Sequence, residues 1–491
     1  MHPRKAVRDI LAVALGQYVA RTVLLVRGVL AAGVLGPRGA GGWNALNLVL
    51  DYGAYASLGA VDGLELRLPG AVGHGDRERA VRLMRGAWAI VLLGGALLAG
   101  GLALYLFTGF RAIEASWGWR APALMLVAAL VQLTIYYHAS SLRAHGAFGV
   151  VSTALAAQAL LGGGLGLALV SRAGVWGLIG GWIAGGLVAL VLLRRAPHHV
   201  PLSPGRLRDG LELAVAGLPV FGYFATALVV RSADRVALVR HGEPESLGLY
   251  SLGLMAAGLV LYLPEATAAV LYPRIAAAAH GARDPEQTRL EVTRAQRALG
   301  LALPLLVGLG VLWATPLVAW LLPAFGPGLP ALRVLALGAL ALSAASLPAV
   351  WLLGSGRARA LLPAAAAAAT AAGLLVFAVA GNAPSPAAVA IAAAGGYTLF
   401  AATLVATASR SLFADLSSRL RFAFESFGPA VWGAALTLGL TAARPDASVA
   451  GAAARSLGLL AGYLPLMLWL GRGSGLRRLA REWISSRVAP A

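Results

Sequence analysis

The sequence predicts an all-α integral membrane protein of about fourteen transmembrane helices, organised as two six-helix lobes followed by two further helices. Three observations predict it. Apolar residues make up 59% of the 491 and charged residues only 12%, too little charge to cover a soluble surface of this size. Apolar runs of about 20 residues, the length that crosses a hydrocarbon core, recur from end to end. The density of basic residues alternates from one inter-span segment to the next, as it does where charge orients membrane helices.

In chain order the spans are expected at 10–32, 43–66, 86–108, 120–142, 149–171, 174–193, 211–233 and 247–272, then at 298–322, 331–353, 360–380, 387–409, 428–443 and 449–471. The first follows a basic start but contains Arg21 and Arg27. A cleavable signal segment tolerates such charges poorly, so it reads as an uncleaved helix. The thirteenth is short. An even number of spans puts both termini on one side. Segments on that side hold 28 of the 40 basic residues, against 8 on the opposite side. Cationic loops resist translocation, so the N-terminal side is cytoplasmic.

Composition also excludes functions. The net charge of +20 flanks apolar spans instead of gathering on a soluble face, which argues against a nucleic-acid partner. The absence of cysteine removes disulfides, thiol catalysis and thiolate metal sites. No G-x-x-x-x-G-K-[ST] run cradles a nucleotide, and no inter-span segment is long enough for a soluble domain. ATP-driven export and catalysis on a large outer loop are therefore disfavoured; the longest outer loop is expected over about 234–246. No cofactor, metal or catalytic group is expected.

Landmarks in the first pair of spans recur in the seventh and eighth. Gly42 corresponds to Gly248, Pro69 to Pro273 and His74 to His280, at offsets of about 205 residues. Spans one and seven enter from the same side, so the repeat is parallel, as in secondary transporters whose lobes are related by an axis along the membrane normal. The lobes are expected over 1–200 and 201–410, with 411–491 holding two extra spans and a basic tail.

Charges inside spans are the candidate site. A central Arg or Asp costs about 2.5–3.5 kcal/mol on insertion scales and usually faces a wet cavity or a partner. Arg21 and Arg27 lie in span one, Asp51 in span two, Arg231, Asp234 and Arg235 at the end of span seven, and Glu265 beside Pro264 in span eight. Asp62 and Glu65 lie near the inner end of span two. Guanidinium groups bind phosphate oxygens bidentately, so Arg21, Arg27, Arg231 and Arg235 suit an anionic head group. Asp51 would pair with an arginine in its absence or accept a coupling proton, and Glu265 is a second such acid. The same residues could instead be fixed interhelical pairs or snorkelling ends. Gly177, Gly181 and Gly185 form a close-packing face on span six. Tyr136, Tyr137 and His138, late in span four, read as packing or interface residues. The segments 73–85 and 274–297 resemble short amphipathic helices.

A set of short motifs runs through most of spans one to twelve: Arg21-x5-Arg27, Leu35-Gly36-Pro37-x-Gly39, Gly41-Gly42-Trp43, Leu66-x2-Pro69 and Gly73-x-Gly75-Asp76 in the first half. Asp234-Arg235, Leu247-Gly248-x-Tyr250, Tyr272-Pro273-Arg274 and Gly354-x-Gly356-Arg357 follow. Their order and spacing resemble the polysaccharide-unit (O-antigen or exopolysaccharide) flippases, relatives of the lipid II flippases and of the multidrug and toxic-compound extruders. The resemblance implies a V-shaped pair of six-helix lobes working by alternating access. It also implies an undecaprenyl-pyrophosphate-linked sugar as cargo, membrane lipid and polysaccharide-assembly proteins as partners, and a bacterial inner membrane. Arg21 and Arg27 match the spacing of the span-one arginines that line the cavity in the lipid II branch. Spans two and eight carry Asp51 and Glu265 where that branch has arginines, so the polysaccharide branch is the better match. Two other functions stay open on the residues alone: a cation-coupled drug exporter of the same superfamily, and a membrane glycosyltransferase or polymerase.

Overall fold

The computed structural model describes residues 3–107, 117–443 and 447–471, with side chains from Thr22 onward. Among the described residues there are fourteen α-helical segments and no strand. They are α1 (Pro3–Gly53), α2 (Ala60–Gly73), α3 (Arg77–Phe107), α4 (Arg120–Ala144), α5 (Phe148–Ala173, with a π turn), α6 (Val175–Arg194) and α7 (Leu207–His241). Then come α8 (Pro244–Ala279), α9 (Pro285–Leu321), α10 (Leu329–Gly354), α11 (Ala358–Asn382), α12 (Pro386–Leu412), α13 (Leu416–Ala443) and α14 (Val449–Gly471). Twelve are long and apolar enough to cross a membrane. The exceptions are α2, with 14 residues, and α13, where Ser, Gly, Pro and Thr dilute the apolar run. Large apolar side chains such as Leu104, Trp320, Leu374 and Leu457 are well exposed, as lipid-facing surface is. The chain is a multi-pass membrane protein.

Four local features differ from the expectation. Spans one and two are not joined by a loop over 33–42; they meet within α1, where only Gly36 leaves helical geometry (φ 64°, ψ 177°) and Pro37 restarts the helix. A positive φ suits glycine, and proline's fixed φ suits the first helical turn. Span two is itself interrupted. Residues 54–59 form turns with Leu58 at φ 49° and Gly59 at φ 81°, and α2 resumes at Ala60. The expected outer loop at 234–246 shrinks to Gly242 and Glu243 because α7 runs on to His241. Charge ended the apolar run at 233 without ending the helix. The segments 73–85 and 274–297 likewise merge into α3, α8 and α9.

By internal packing the chain forms two compact units, Met1–Leu228 with Arg235–Gly248, and Val229–Asp234 with Leu249–Ala491. In the first, Gly177, Gly181 and Gly185 set α6 backbone-to-backbone on α5: a Cβ on Gly181 would stand 2.4 Å from Gly166 N. In the second, α13 and α14 pack on α9, with the Tyr463 hydroxyl donating to Leu301 O at 2.9 Å.

The parallel repeat extends to hydrogen bonds. After α2, His74 Nδ1 sits 2.7 Å from Gly70 O, Gly75 turns at φ 72° and Asp76 N donates to Ala71 O. After α8, His280 Nδ1 sits 2.7 Å from Ala276 O, Gly281 turns at φ 75° and Ala282 N donates to Ala277 O. The ends of α4 and α10 repeat the turn at Gly146 (φ 77°) and Gly356 (φ 73°).

Candidate functional site

The intramembrane charges separate into groups with different surroundings. Arg21 lies in α1, and its side chain falls outside the described residues. Arg27, two turns on, is 9% exposed. Its guanidinium carbon lies 5.1 Å from the Trp43 ring centroid and 5.5 Å from that of Trp182. Nη2 donates to Leu178 O at 3.4 Å, and Nε has no partner. No described carboxylate pairs with it. Gly163 and Gly166 on α5 make the space: Cβ atoms there would approach Arg27 Cδ and Nε within 3.7 Å. Two indole faces offset the desolvation of a cation by up to about 2 kcal/mol each. Arg27 thus sits in an aromatic seam of the first unit, away from open solvent.

Asp51 and Arg235 meet in the same unit. Arg235 Nη2 is 2.7 Å from Asp51 Oδ2, with side-chain exposures of 13% and 40% respectively. Asp51 lies one turn before the interruption at 54–59, where the backbone closes tight turns such as Tyr55 N to Tyr52 O and Ala56 N to Gly53 O. Beneath the interruption Gly59, Gly63 and Tyr55 pack on α7. A Cβ on Gly63 would stand 2.0 Å from Leu213 O, and the Tyr55 and Phe221 rings lie 6.1 Å apart. Close packing by glycine is what brings span two against α7.

The second unit holds a looser pair and a sealed acid. Arg231 Nη1 is 3.5 Å from Glu265 Oε1, with exposures of 50% and 37%. Exposed pairs at such distances contribute little, about 0–1 kcal/mol. Asp234 is fully buried and accepts hydrogen bonds from the hydroxyls of Tyr250 at 2.6 Å and Tyr397 at 3.2 Å. Adjacent residues of one motif therefore differ: Asp234 is locked inside the second unit, whereas Arg235 engages Asp51 in the first.

Partners that the sequence did not identify complete the polar inventory. Asp62 accepts from the Tyr136 hydroxyl at 3.4 Å, and Glu65 pairs with Arg143. Glu425 on α13 binds Arg297 Nη2 at 2.8 Å and Arg421 Nε at 2.9 Å. Their partners are 74 to 128 residues away in three of these contacts, beyond any local pattern. Among the described residues, no group of three or more His, Asp or Glu is placed to hold a metal ion.

With this geometry, the site can exchange a guanidinium between a carboxylate and another anion at Arg235, where one partner is partly open.

Comparison with known proteins gives three findings. Residues 123–324 match the family model described as "Polysaccharide biosynthesis protein". No curated protein sequence matches the chain. Among solved structures, the lipid II flippase MurJ in an inward closed conformation aligns with TM-score 0.67 and 13% identity, over 94% of this chain and 98% of that one. An inward-facing multidrug resistance MATE family transporter of the MOP superfamily aligns with TM-score 0.60 and 17% identity, over 85% and 98%. A Vibrio cholerae MATE transporter aligns with TM-score 0.56 and 16% identity, over 84% and 98%. The chain therefore shares its fold with these transporters, and the motif resemblance agrees with the family-model match.

Proposed function

We propose that the chain is a flippase. It moves a polyprenyl-pyrophosphate-linked oligosaccharide from the cytoplasmic to the outer leaflet of a bacterial inner membrane by alternating access, with both termini cytoplasmic. The observation that carries this reading is the match to a polysaccharide biosynthesis family on a fold shared with a lipid II flippase. The Asp51–Arg235 pair supplies the chemistry. A diphosphate brings more negative charge and more acceptor oxygens to Arg235 than one carboxylate does, and bidentate contact favours the exchange. Asp51, released, takes up water or a proton at its exposed edge. Cargo binding and loss of the ion pair are thereby one event. Arg21 and Arg27 belong to the helix that also carries Asp51; Arg27 contributes cationic charge that no described carboxylate cancels. Arg231 and Glu265 form the corresponding pair in the second unit. The protein acts as a transporter without covalent chemistry and works beside polysaccharide-assembly proteins.

The test is translocation of a fluorescent polyprenyl-pyrophosphate sugar in proteoliposomes. Wild-type protein should flip it, and Arg21→Ala/Arg27→Ala and Arg235→Ala should each slow it. Undiminished flipping in all three variants would remove the site. Export of organic cations without any lipid-linked sugar movement would move the protein to the drug-export branch.

A further inference from the structure

A second polar site lies in the first unit, apart from the Asp51–Arg235 pair. A cavity of about 130 Å³ opens where α4 and the end of α6 meet the segment 195–200. At about 30 Å³ per water it has room for roughly four waters, or one tetrahedral oxyanion. Its polar lining comprises His138, Arg194, His198 and His199, and it contains no carboxylate. His198 is further braced by stacking on His145, with ring centroids 4.9 Å apart. Four of the chain's eight histidines thus gather at one end of one unit.

His138 is the informative member. It is 1% exposed, and its Nδ1 lies 3.0 Å from Thr134 O. A carbonyl only accepts, so Nδ1 carries the proton, and the neutral ring presents a lone pair at Nε2. That atom is buried without a hydrogen-bond partner. A buried acceptor left unmade costs about 1–3 kcal/mol, so it takes a donor from whatever fills the cavity, water or a bound group. Arg194, exposed at the rim, offers the opposite, guanidinium donors for an anionic oxygen. One ligand class satisfies both: an oxyanion that still carries a proton, giving P–OH to Nε2 and P–O⁻ to the guanidinium.

The geometry points to a binding site for a protonated phosphate or phosphomonoester at this end of α4 and α6. Sulfate and phosphodiesters lack the P–OH group and leave Nε2 unpaired, so they are the discriminating competitors. The ligand has two possible sources, free inorganic phosphate and the head group of a phosphomonoester lipid, and the chemistry is shared. The inference does not rest on the flippase reading, since it uses neither Asp51 nor Arg235.

The experiment titrates full-length protein in phosphatidylcholine nanodiscs by calorimetry at neutral pH and fixed ionic strength. The probes are inorganic phosphate, sulfate, dihexanoyl phosphatidic acid and dihexanoyl phosphatidylglycerol. The expected result is binding of phosphate, phosphatidic acid or both, at least about tenfold tighter than sulfate and the diester, as one hydrogen bond to a charged group allows. Which of the two binds identifies the source. Arg194→Gln, at an exposed position, should weaken binding by at least about tenfold. His138→Phe should abolish the preference over sulfate; if it fails to fold, Arg194→Gln and the sulfate comparison decide. Absence of phosphate and phosphatidic acid binding, equal binding of sulfate, or unchanged affinity in Arg194→Gln overturns the inference.

Discussion

Two ion pairs, one in each unit, use the same functional groups under different burial. In the second unit Glu425 is 11% exposed and takes bonds from both Nε and Nη2 of Arg297, at 2.9 and 2.8 Å, and from Arg421 at 2.9 Å. Three of the roughly four acceptor sites of that carboxylate are used, and the pair ties α13 to α9. In the first unit Asp51 pairs with Arg235 at 2.7 Å, and 40% of its side chain is open. Coulomb attraction alone does not separate the two. What separates them is the cost of letting go: a released Glu425 would stand in a dry interface, whereas a released Asp51 meets water or a ligand. A multiply bonded, nearly buried carboxylate is a clamp, and a half-open pair is an exchangeable latch. Neighbouring features agree, since the clamp joins two uninterrupted helices and the latch sits beside the break at 54–59.

The largest expected effect comes from breaking the clamp. Glu425→Ala leaves Arg297 in a half-dry site, and removing one partner of a buried pair costs about 3–5 kcal/mol. Folded yield and thermal unfolding in detergent should fall sharply. Arg235→Ala should behave oppositely, with a small change in unfolding temperature and flipping slowed at least about tenfold, the kinetic equivalent of one lost charge-assisted bond. If Glu425→Ala proves neutral while Arg235→Ala unfolds the protein, burial does not distinguish clamp from latch.

How much of this was legible depends on the range of the interaction. Helix class, the apolar spans and the parallel repeat follow from hydropathy and from short motifs, because both are local in the chain. Asp51, Arg235, Arg231 and Glu265 could be singled out for the same reason: a charge in an apolar run is conspicuous by itself. Their pairing was not legible, nor was that of Arg297 with Glu425, 128 residues apart, because contact between distant helices leaves no spacing to read. Helix ends were misjudged where charge and secondary structure part company, as at Asp234–His241, where buried partners keep a charged stretch helical. His138 read as a packing residue because the segment that brings His198, His199 and Arg194 to it lies two helices later.

The repeat permits a matched test of smaller size. Gly75 and Gly281 turn at φ 72° and 75°, and a Cβ on either meets nothing within 4 Å. Only backbone conformation then opposes a side chain, at roughly 1–2 kcal/mol. Gly75→Ala and Gly281→Ala should lower stability by the same amount, each well below Glu425→Ala. A cost at one position alone would show that the two turns share a shape without sharing a role.

The smallest effect lies at the open end of the burial series. Asp415, wholly exposed just before α13, accepts from the Ser417 hydroxyl and from Ser418 N, both at 2.7 Å. The bond from Ser417, then that from Ser418, holds its carboxyl well below the ordinary carboxylate range. A group whose folded pKa is depressed adds stability above its unfolded pKa and loses it as pH falls through the folded value. The difference in unfolding temperature between wild type and Asp415→Ala should therefore be small at neutral pH and shrink once pH drops below the ordinary carboxylate range. Water competes freely for this acid, so the difference should stay far under that of Glu425→Ala, although Asp415 precedes and Glu425 lies within the same helix. A gap that stayed constant into acid would mean that the uncharged carboxyl caps α13 as well as the carboxylate. Hydrogen-bond count, not charge, would then rank the three acids.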